Sequence, residues 1–432
     1  MEIKFLYGST GLNVKIPEKY QIDVIKAQNA PGLQDPIQFL FEKLENPMSS
    51  QPLSKLLAKS RKKNQDGDIV IVIDDHTRPI SSRYFLDALA RVFHSQNIED
   101  EKIKILVSTG LHRKSTHSEL LRMIGEEHLN RFDVLFHDAN NDIELESVGK
   151  TSSGNEIFLN SHFVQAAFRI VTGYVEPHFF SGFSGGRKAI LPGIAGRQSI
   201  LHNHSASNIH SNYARFGELD GNLLHMDMVE AARLMKPEFC INAILNRTHE
   251  ITHVAAGNIF AVFNHLVQIQ KQQCFKEISH KYDLVVCGNG GFPLDLNLYQ
   301  AVKSMVIGEL ACKKDGIIIA VNECRDGVGQ ESFKELINSG DNPDIIYKNA
   351  LNGMITVPDI WEIQVMARVL MNHSVYIVSS MKESEIGNTG LLYAESVEDA
   401  IKKSNALLDK RPQDIEVLVL PDGPIILPKT AK

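Results

Sequence analysis

Cysteine is scarce in this chain of 432 residues: Cys240, Cys274, Cys287, Cys312 and Cys324 are far apart, form no CxxC pair and mostly sit in apolar segments. That excludes a disulfide frame and argues against a zinc site, leaving buried thiols in a reducing compartment as the expectation. No apolar run approaches the roughly 18 residues of a membrane-spanning helix. The start, Met1-Glu2-Ile3-Lys4-Phe5-Leu6, lacks the regions of a signal peptide, so a cytoplasmic protein with no membrane partner is expected. Positive charge is not in excess: 45 Lys and Arg face 52 Asp and Glu, a net charge of -7 with no basic stripe, which argues against nucleic acid as a partner. Repeats of solenoid period and low-complexity segments are absent as well.

What the chain does have is length and apolar periodicity. With 432 residues and 43% hydrophobic content it exceeds what one core usually serves, so two domains are expected. Apolar runs at 69–73, 103–107, 132–136, 168–172 and 239–244 read as buried strands. Between them Phe85, Leu86, Leu89, Val92 and Phe93 have helical spacing, Thr116 with Glu119 makes a capping box, and helices are predicted at 198–208, 223–235 and 258–276. A second series follows, with strands at 282–287, 317–321, 375–378 and 416–420 and helices at 298–313, 360–371 and 397–408. This alternation is the signature of two α/β domains with mainly parallel sheets. The predicted boundary lies near 275: residues 1–274 form the N-terminal domain and 275–412 the C-terminal one, with the tail from about 413 to 432 a candidate to return to the first.

In open α/β sheets ligands bind beyond the carboxyl ends of the strands. Four successive strand ends here carry reactive side chains: Asp74-Asp75-His76-Thr77-Arg78-Pro79, then Ser108-Thr109-Gly110-Leu111-His112-Arg113, then His137-Asp138, then the segment holding Glu176, His178 and Lys188. One such cluster is ordinary turn chemistry; four on one rim point to a ligand site. Asp75 and Arg78 suit either an ion pair closing the turn or direct ligand contact. His112 and His178 carry imidazoles, the side chain suited to acid–base work near neutral pH, and could move protons from opposite sides of a substrate. His202 and His204 read as metal ligands, a helix cap or plain surface, and two-residue spacing at a helix start leaves only one of them facing the site.

The stretch Gly173 to Gly196 is dense in glycine, which lets the backbone pass close to a ligand, and Lys188 in it could bind phosphate or form a covalent bond. It is not a P-loop, because Arg187 and Ala189 stand where glycine and a hydroxyl residue are needed. Gly288 to Pro293 likewise breaks the dinucleotide fingerprint. Gln300 and Lys303 share a helix face that is either solvated or suited to a carboxylate. Trp361, the only tryptophan, suits core or interface packing more than catalysis.

Together, Asp75-His76-Thr77-Arg78-Pro79, Gly110-Leu111-His112-Arg113, the His178 to Lys188 segment, His204, and Gln300 with Lys303 resemble the nickel-dependent lactate racemase family, in order and across most of the chain. The resemblance implies two α/β domains with the active site in the cleft between them. It implies a nickel cofactor, the pyridinium-3-thioamide-5-thiocarboxylic acid mononucleotide, supplied by cofactor-synthesis enzymes and covalently attached to Lys188, with His204 completing the nickel coordination. By the same resemblance Asp75 contacts the cofactor, and the turn with Ser181, Ser184, Gly185 and Gly186 surrounds its phosphate. His112 and His178 are then the acid and base pair, and Arg78 orients the reacting oxygen. Gln300, Lys303 and Trp361 bind the substrate. The implied reaction is racemisation or epimerisation of a 2-hydroxy acid through a 2-keto acid, by hydride transfer to the cofactor. The same residues admit two other readings: a lysine Schiff-base or metal-dependent enzyme on a small carboxylic acid, and a non-catalytic cofactor carrier or 2-hydroxy-acid sensor. The histidine pair favours the racemase.

Overall fold

Five consecutive β-branched residues, Ile69–Ile73, form a strand in which every side chain is buried, the pattern of a strand covered on both faces. The computed structural model, which describes residues 1–28, 30–355 and 357–430, divides into two compact units. One is continuous, Asn29–Lys271; the other is discontinuous, Met1–Gln28 with Gln272–Lys432.

The continuous unit holds a six-stranded sheet in the order Ile251–Gly257, Phe239–Leu245, Phe168–Tyr174, Ile69–Ile73, Ile103–Val107, Asp133–Phe136. All neighbours are parallel except the first pair. From Ile69–Ile73 the chain steps outward twice, then returns to lay Phe168–Tyr174 on the other side of that strand. The carboxyl ends of these two strands therefore flank a topological switch point, where doubly wound sheets open a crevice. Helix Arg83–Ser95 packs Phe85, Leu86, Leu89, Val92 and Phe93 into the core, following the predicted spacing. Each such side chain contributes about 1.5–3 kcal/mol on full burial. The predicted capping box is formed: Glu119 N donates to Thr116 Oγ1 at 3.3 Å, and Thr116 N donates to Glu119 Oε2 at 2.7 Å.

The discontinuous unit has a second six-stranded sheet, wholly parallel, in the order Leu392–Ala394, Ser374–Val378, Cys312–Val321, Tyr282–Gly288, Glu416–Leu420, Gln21–Val24. It corrects the expected domain limits at both chain ends. The tail does not return to the first domain: Glu416–Leu420 pairs with Tyr282–Gly288 and with Gln21–Val24, and Leu427–Thr430 pairs with Phe275–Ile278. The N-terminal residues belong to the same unit. The physical reason is edge protection, since Glu416–Leu420 buries its last four side chains, whereas Gln21–Val24 alternates exposed and half-buried residues as an edge strand does.

Two other differences bear on the site. The helix predicted over 198–208 is two helices, Arg197–Asn203 and Ala206–His210, because the chain leaves helical geometry at His204 and Ser205. A hairpin of Leu145–Lys150 and Glu156–Asn160 went unpredicted because the first strand has no apolar run and that of the second, Ile157-Phe158-Leu159, is only three residues long. All five cysteines are buried thiols. Among the described residues no helix is long and apolar enough to cross a membrane.

Candidate active site

The turn leaving Ile69–Ile73 at the switch point is organised around Asp75. Its buried carboxylate accepts from Thr77 N at 3.1 Å and Thr77 Oγ1 at 2.6 Å through Oδ1, while Oδ2 lies 2.7 Å from His112 Nδ1. Burial alone would raise this carboxyl, but His112, by charge and hydrogen bond, together with His76 and Arg78 holds it well below the usual carboxylate range. Asp75 is thus an anion at neutral pH and must receive a proton-bearing nitrogen. His112 Nδ1 is that donor, which leaves Nε2 as the nitrogen without a hydrogen in the neutral ring. The side-chain partner of Asp75 is therefore His112, while Arg78 meets Asp75 through the backbone, N to O at 3.2 Å. Burial opposes the charge on Arg78, but Tyr174, Asp75, Glu176 and Asp74 around it raise its affinity for the proton further.

Asp74 was not singled out in the sequence. Its Oδ2 is buried with no hydrogen-bond partner among the described residues, 3.2 Å from where a Cβ on Gly173 would stand. Burial, then Asp75 and Glu176, push this carboxyl up to about 7 against the pull of Arg78 and Lys188. Two adjacent carboxyls are thereby split, one firmly ionised and one that titrates near neutrality.

Beyond Phe168–Tyr174 the chain makes a tight hairpin, Pro177–His178 against Gly182–Phe183. Ser184 closes it: Oγ donates to Tyr174 O and accepts from Glu176 N, both at 2.9 Å. Ser181 donates its hydroxyl to Phe183 O at 3.3 Å and its N–H to His178 Nδ1 at 3.4 Å. Gly185 has φ 78°, and a Cβ there would meet Tyr174 O and Asn242 Oδ1 at 2.8 Å, so only glycine fits. Gly186 N donates to Asn242 Oδ1 at 2.6 Å. The hydroxyls of Ser181 and Ser184 and the N–H of Gly186, expected to face a phosphate, are therefore engaged in shaping the turn itself.

Arg187 forms the hub of that turn. It is fully buried and donates to Ser181 O at 2.8 Å, Gly185 O at 3.1 Å, Ser184 O at 3.3 Å and His225 Nδ1 at 3.1 Å, with its guanidinium 4.2 Å from the Phe263 ring centroid. Lys188 follows in the same short 3-10 turn, half-buried, its Nζ 5.6 Å from the Phe180 ring centroid. His178 and His204 meet the same ring edge-on, at 4.5 and 5.2 Å between centroids. His204 is buried, and burial with the nearby Lys188 pulls its imidazole down to about 3, whereas His202 is exposed. Only one of that histidine pair faces inward, as the spacing predicts.

The continuous unit thus carries Asp75, Arg78 and His112 in one cluster and His178, Lys188 and His204 around Phe180 in another, with Asp74 sensitive to both Arg78 and Lys188. Gln300, Lys303 and Trp361 lie in the discontinuous unit. Gln300 and Lys303 are buried on helix Leu298–Ala311, whose first turn is capped by Asn297 Oδ1 accepting from Gln300 N at 3.0 Å. Trp361 is buried too, and its indole N–H donates to Tyr299 Oη at 2.9 Å. Arg187, Phe180, Asn242 and Asp74 were missed. A lone amide within the strand Phe-Cys-Ile-Asn-Ala-Ile-Leu was the readable signal for Asn242.

A doubly wound unit whose switch point gathers a carboxylate-held imidazole, a second imidazole and a lysine on a rigid turn defines an enzyme acting on a small bound ligand. The lactate racemase N-terminal domain matches residues 7–217 and the lactate racemase C-terminal domain residues 278–427. The chain belongs to the lactate racemase family and is an isomerase of the racemase class. It is 35% identical over 427 residues to the lactate racemase of Thermoanaerobacterium thermosaccharolyticum, covering 98% of this chain and 97% of that protein. It is 38% identical over 389 residues to the lactate racemase of Lactiplantibacillus plantarum, 88% of each. The lactate racemase apoprotein structure from T. thermosaccharolyticum has a TM-score of 0.88 at 32% identity, covering 99% of this chain and 100% of that one. A Thermotoga maritima protein shares the fold at TM-score 0.69 and 18% identity, over 94% of this chain and 100% of that one.

Proposed function

We propose that this enzyme interconverts the enantiomers of lactate or a close 2-hydroxy acid, using a nickel-pincer nucleotide tethered to Lys188 and delivered by cofactor-synthesis enzymes. The residues present suit such a group. Lys188 and His204 converge on the Phe180 ring, and Asp74 presents a buried oxygen without a hydrogen-bond partner among the described residues. Among the described residues no group of three His, Cys, Asp or Glu is set to hold a metal by itself, and His204 is the residue that would hold the nickel. When bound, this group would supply the two-electron acceptor that the oxidation of a 2-hydroxy acid needs.

The protein's part is proton transfer and placement. The observation that carries the reading is the complementary state of the two imidazoles. His112 gives its Nδ1 hydrogen to Asp75, so Nε2 is basic and takes the substrate hydroxyl proton. In its neutral form His178 accepts Ser181 N–H at Nδ1; as an imidazolium it would give the Nε2 proton to the substrate oxygen and return to that neutral form. Base and acid exchange roles each time the opposite enantiomer is turned over. Arg78 steadies the developing oxyanion. Gln300 and Lys303 are assigned to the substrate carboxylate, and Trp361, its N–H taken by Tyr299, to an apolar wall.

The test is protein made together with the cofactor-synthesis enzymes, examined by intact mass, peptide mapping, nickel analysis and a chiral assay with D- and L-lactate. The expected result is a mass increment on the Lys188 peptide, bound nickel and racemisation, all lost in Lys188→Ala. Racemisation by a preparation with unmodified Lys188 and no nickel would overturn the proposal.

A further inference from the structure

Asp227 is a buried carboxylate, 3% exposed, on helix Leu223–Met235. Its Oδ1 accepts from Thr151 Oγ1 at 2.6 Å and Ser153 Oγ at 2.8 Å, and its Oδ2 from Asn155 Nδ2 at 2.9 Å and Asn203 Nδ2 at 2.8 Å. Four donors on two oxygens leave no place for a hydrogen on the carboxyl itself. All four donors are neutral. Removing an anion from water for neutral hydrogen bonds is costly compared with apolar packing of the same volume, so stability alone is a weak reason for it.

What the carboxylate joins suggests another role. Thr151, Ser153 and Asn155 form the turn of the hairpin that carries Leu145–Lys150 and Glu156–Asn160. Asn155 Nδ2 also donates to Ser199 O at 3.0 Å, and Asn203 Nδ2 to Leu224 O at 3.1 Å. Ser199 and Asn203 belong to helix Arg197–Asn203, and the residue that ends this helix is His204. Asp227 thus ties the last turn of that helix to a hairpin and to a second helix at once. The start of that second helix also holds the ring His204 packs on, because Asn222 Nδ2 donates to Phe180 O at 2.9 Å.

We infer that Asp227 is a positioning residue for His204: acting through Asn203, it fixes the helix terminus and so the direction in which the imidazole is presented to a metal. The inference rests on the reading of His204 as the nickel ligand. Asp227→Leu has a similar volume but no acceptor, so the links to Asn155 and Asn203 are both lost. Asn203→Ala removes the link from the helix side. Thr151→Val removes one donor to Asp227 without touching the helix.

The experiment follows nickel release into a chelator from full-length protein carrying the lysine-attached nucleotide, with melting temperature and attached mass measured alongside. Loss of a residue that orients a metal ligand typically weakens metal binding 10–100-fold. Release is expected to be faster by about that factor in Asp227→Leu and Asn203→Ala, with the attached mass unchanged, while Thr151→Val lowers the melting temperature and leaves release at the wild-type rate. If Asp227→Leu does not fold, Asn203→Ala decides. Release within about threefold of wild type in the variants that fold overturns the inference. Release as slow as wild type in His204→Ala overturns the ligand assignment itself, and the positioning role with it.

Discussion

Replacing Asp75 by Asn probes the proton relay with almost no change of shape. The amide keeps Oδ1 for Thr77 N and Thr77 Oγ1, but the atom facing His112 Nδ1 becomes a donor in place of an anionic acceptor. To accept from it, the imidazole must move its hydrogen to Nε2, and the nitrogen that took the substrate proton then carries one. General acid–base contributions of about 10²–10⁴ in rate are typical, so the racemisation rate at equal nucleotide and nickel content is expected to fall by that factor in both directions. A charge-assisted hydrogen bond is worth about 1.5–3 kcal/mol, partly offset by no longer burying an anion, so a loss of about 1–2 kcal/mol of stability is expected at pH 7. The sign with pH follows from the depressed carboxyl of Asp75. Its contribution is fully present above the unfolded value of about 3.9 and is lost as pH falls through the lower folded one. The difference in melting temperature between wild type and Asp75→Asn should therefore shrink at strongly acid pH, and it should also vary around neutrality, because Asp75 helps to push the Asp74 carboxyl up to about 7. Initial rates from D- and L-lactate, with melts across pH, make the assay. Rates within about threefold of wild type at equal loading would refute the assigned relay, since no general base contributes so little.

Two further outcomes are expected. Arg187→Met would leave the carbonyls of Ser181, Ser184 and Gly185 buried without this donor, at about 1–3 kcal/mol each before relaxation; urea unfolding should show a loss of about 3–5 kcal/mol and intact mass should show less nucleotide on Lys188. Burial raises the Glu119 carboxyl, but hydrogen bonds from Arg113 and Thr116 N–H prevail and hold it at about 2; Glu119→Gln should cost about 0.5–1 kcal/mol at pH 7, a difference present above the unfolded value, near 4.3, and fading as pH falls toward 2 in thermal melts.

How much of this was legible in the sequence depends on the range over which each feature is determined. Local periodicity gave the strands, because Ile69–Ile73 is apolar and β-branched throughout, and strand-end position then singled out Asp75, His112, His178 and Lys188 as candidates, because doubly wound sheets put ligands there whatever the ligand is. The tail was misplaced because strand partners are chosen across the whole chain: nothing in Glu416–Leu420 itself says that its neighbours are Tyr282–Gly288 and Gln21–Val24. Arg187 was read only as a broken P-loop position, although its real role is to satisfy three carbonyls of its own turn. Asp227 was invisible for the same reason, since its four donors come from residues 24 to 76 positions away. Residues that meet a ligand stand where the fold class puts ligands, so a sequence can reveal them. Residues that hold those groups in place are defined by contacts between distant segments, and there the same polar side chain reads as surface until the chain is folded around it.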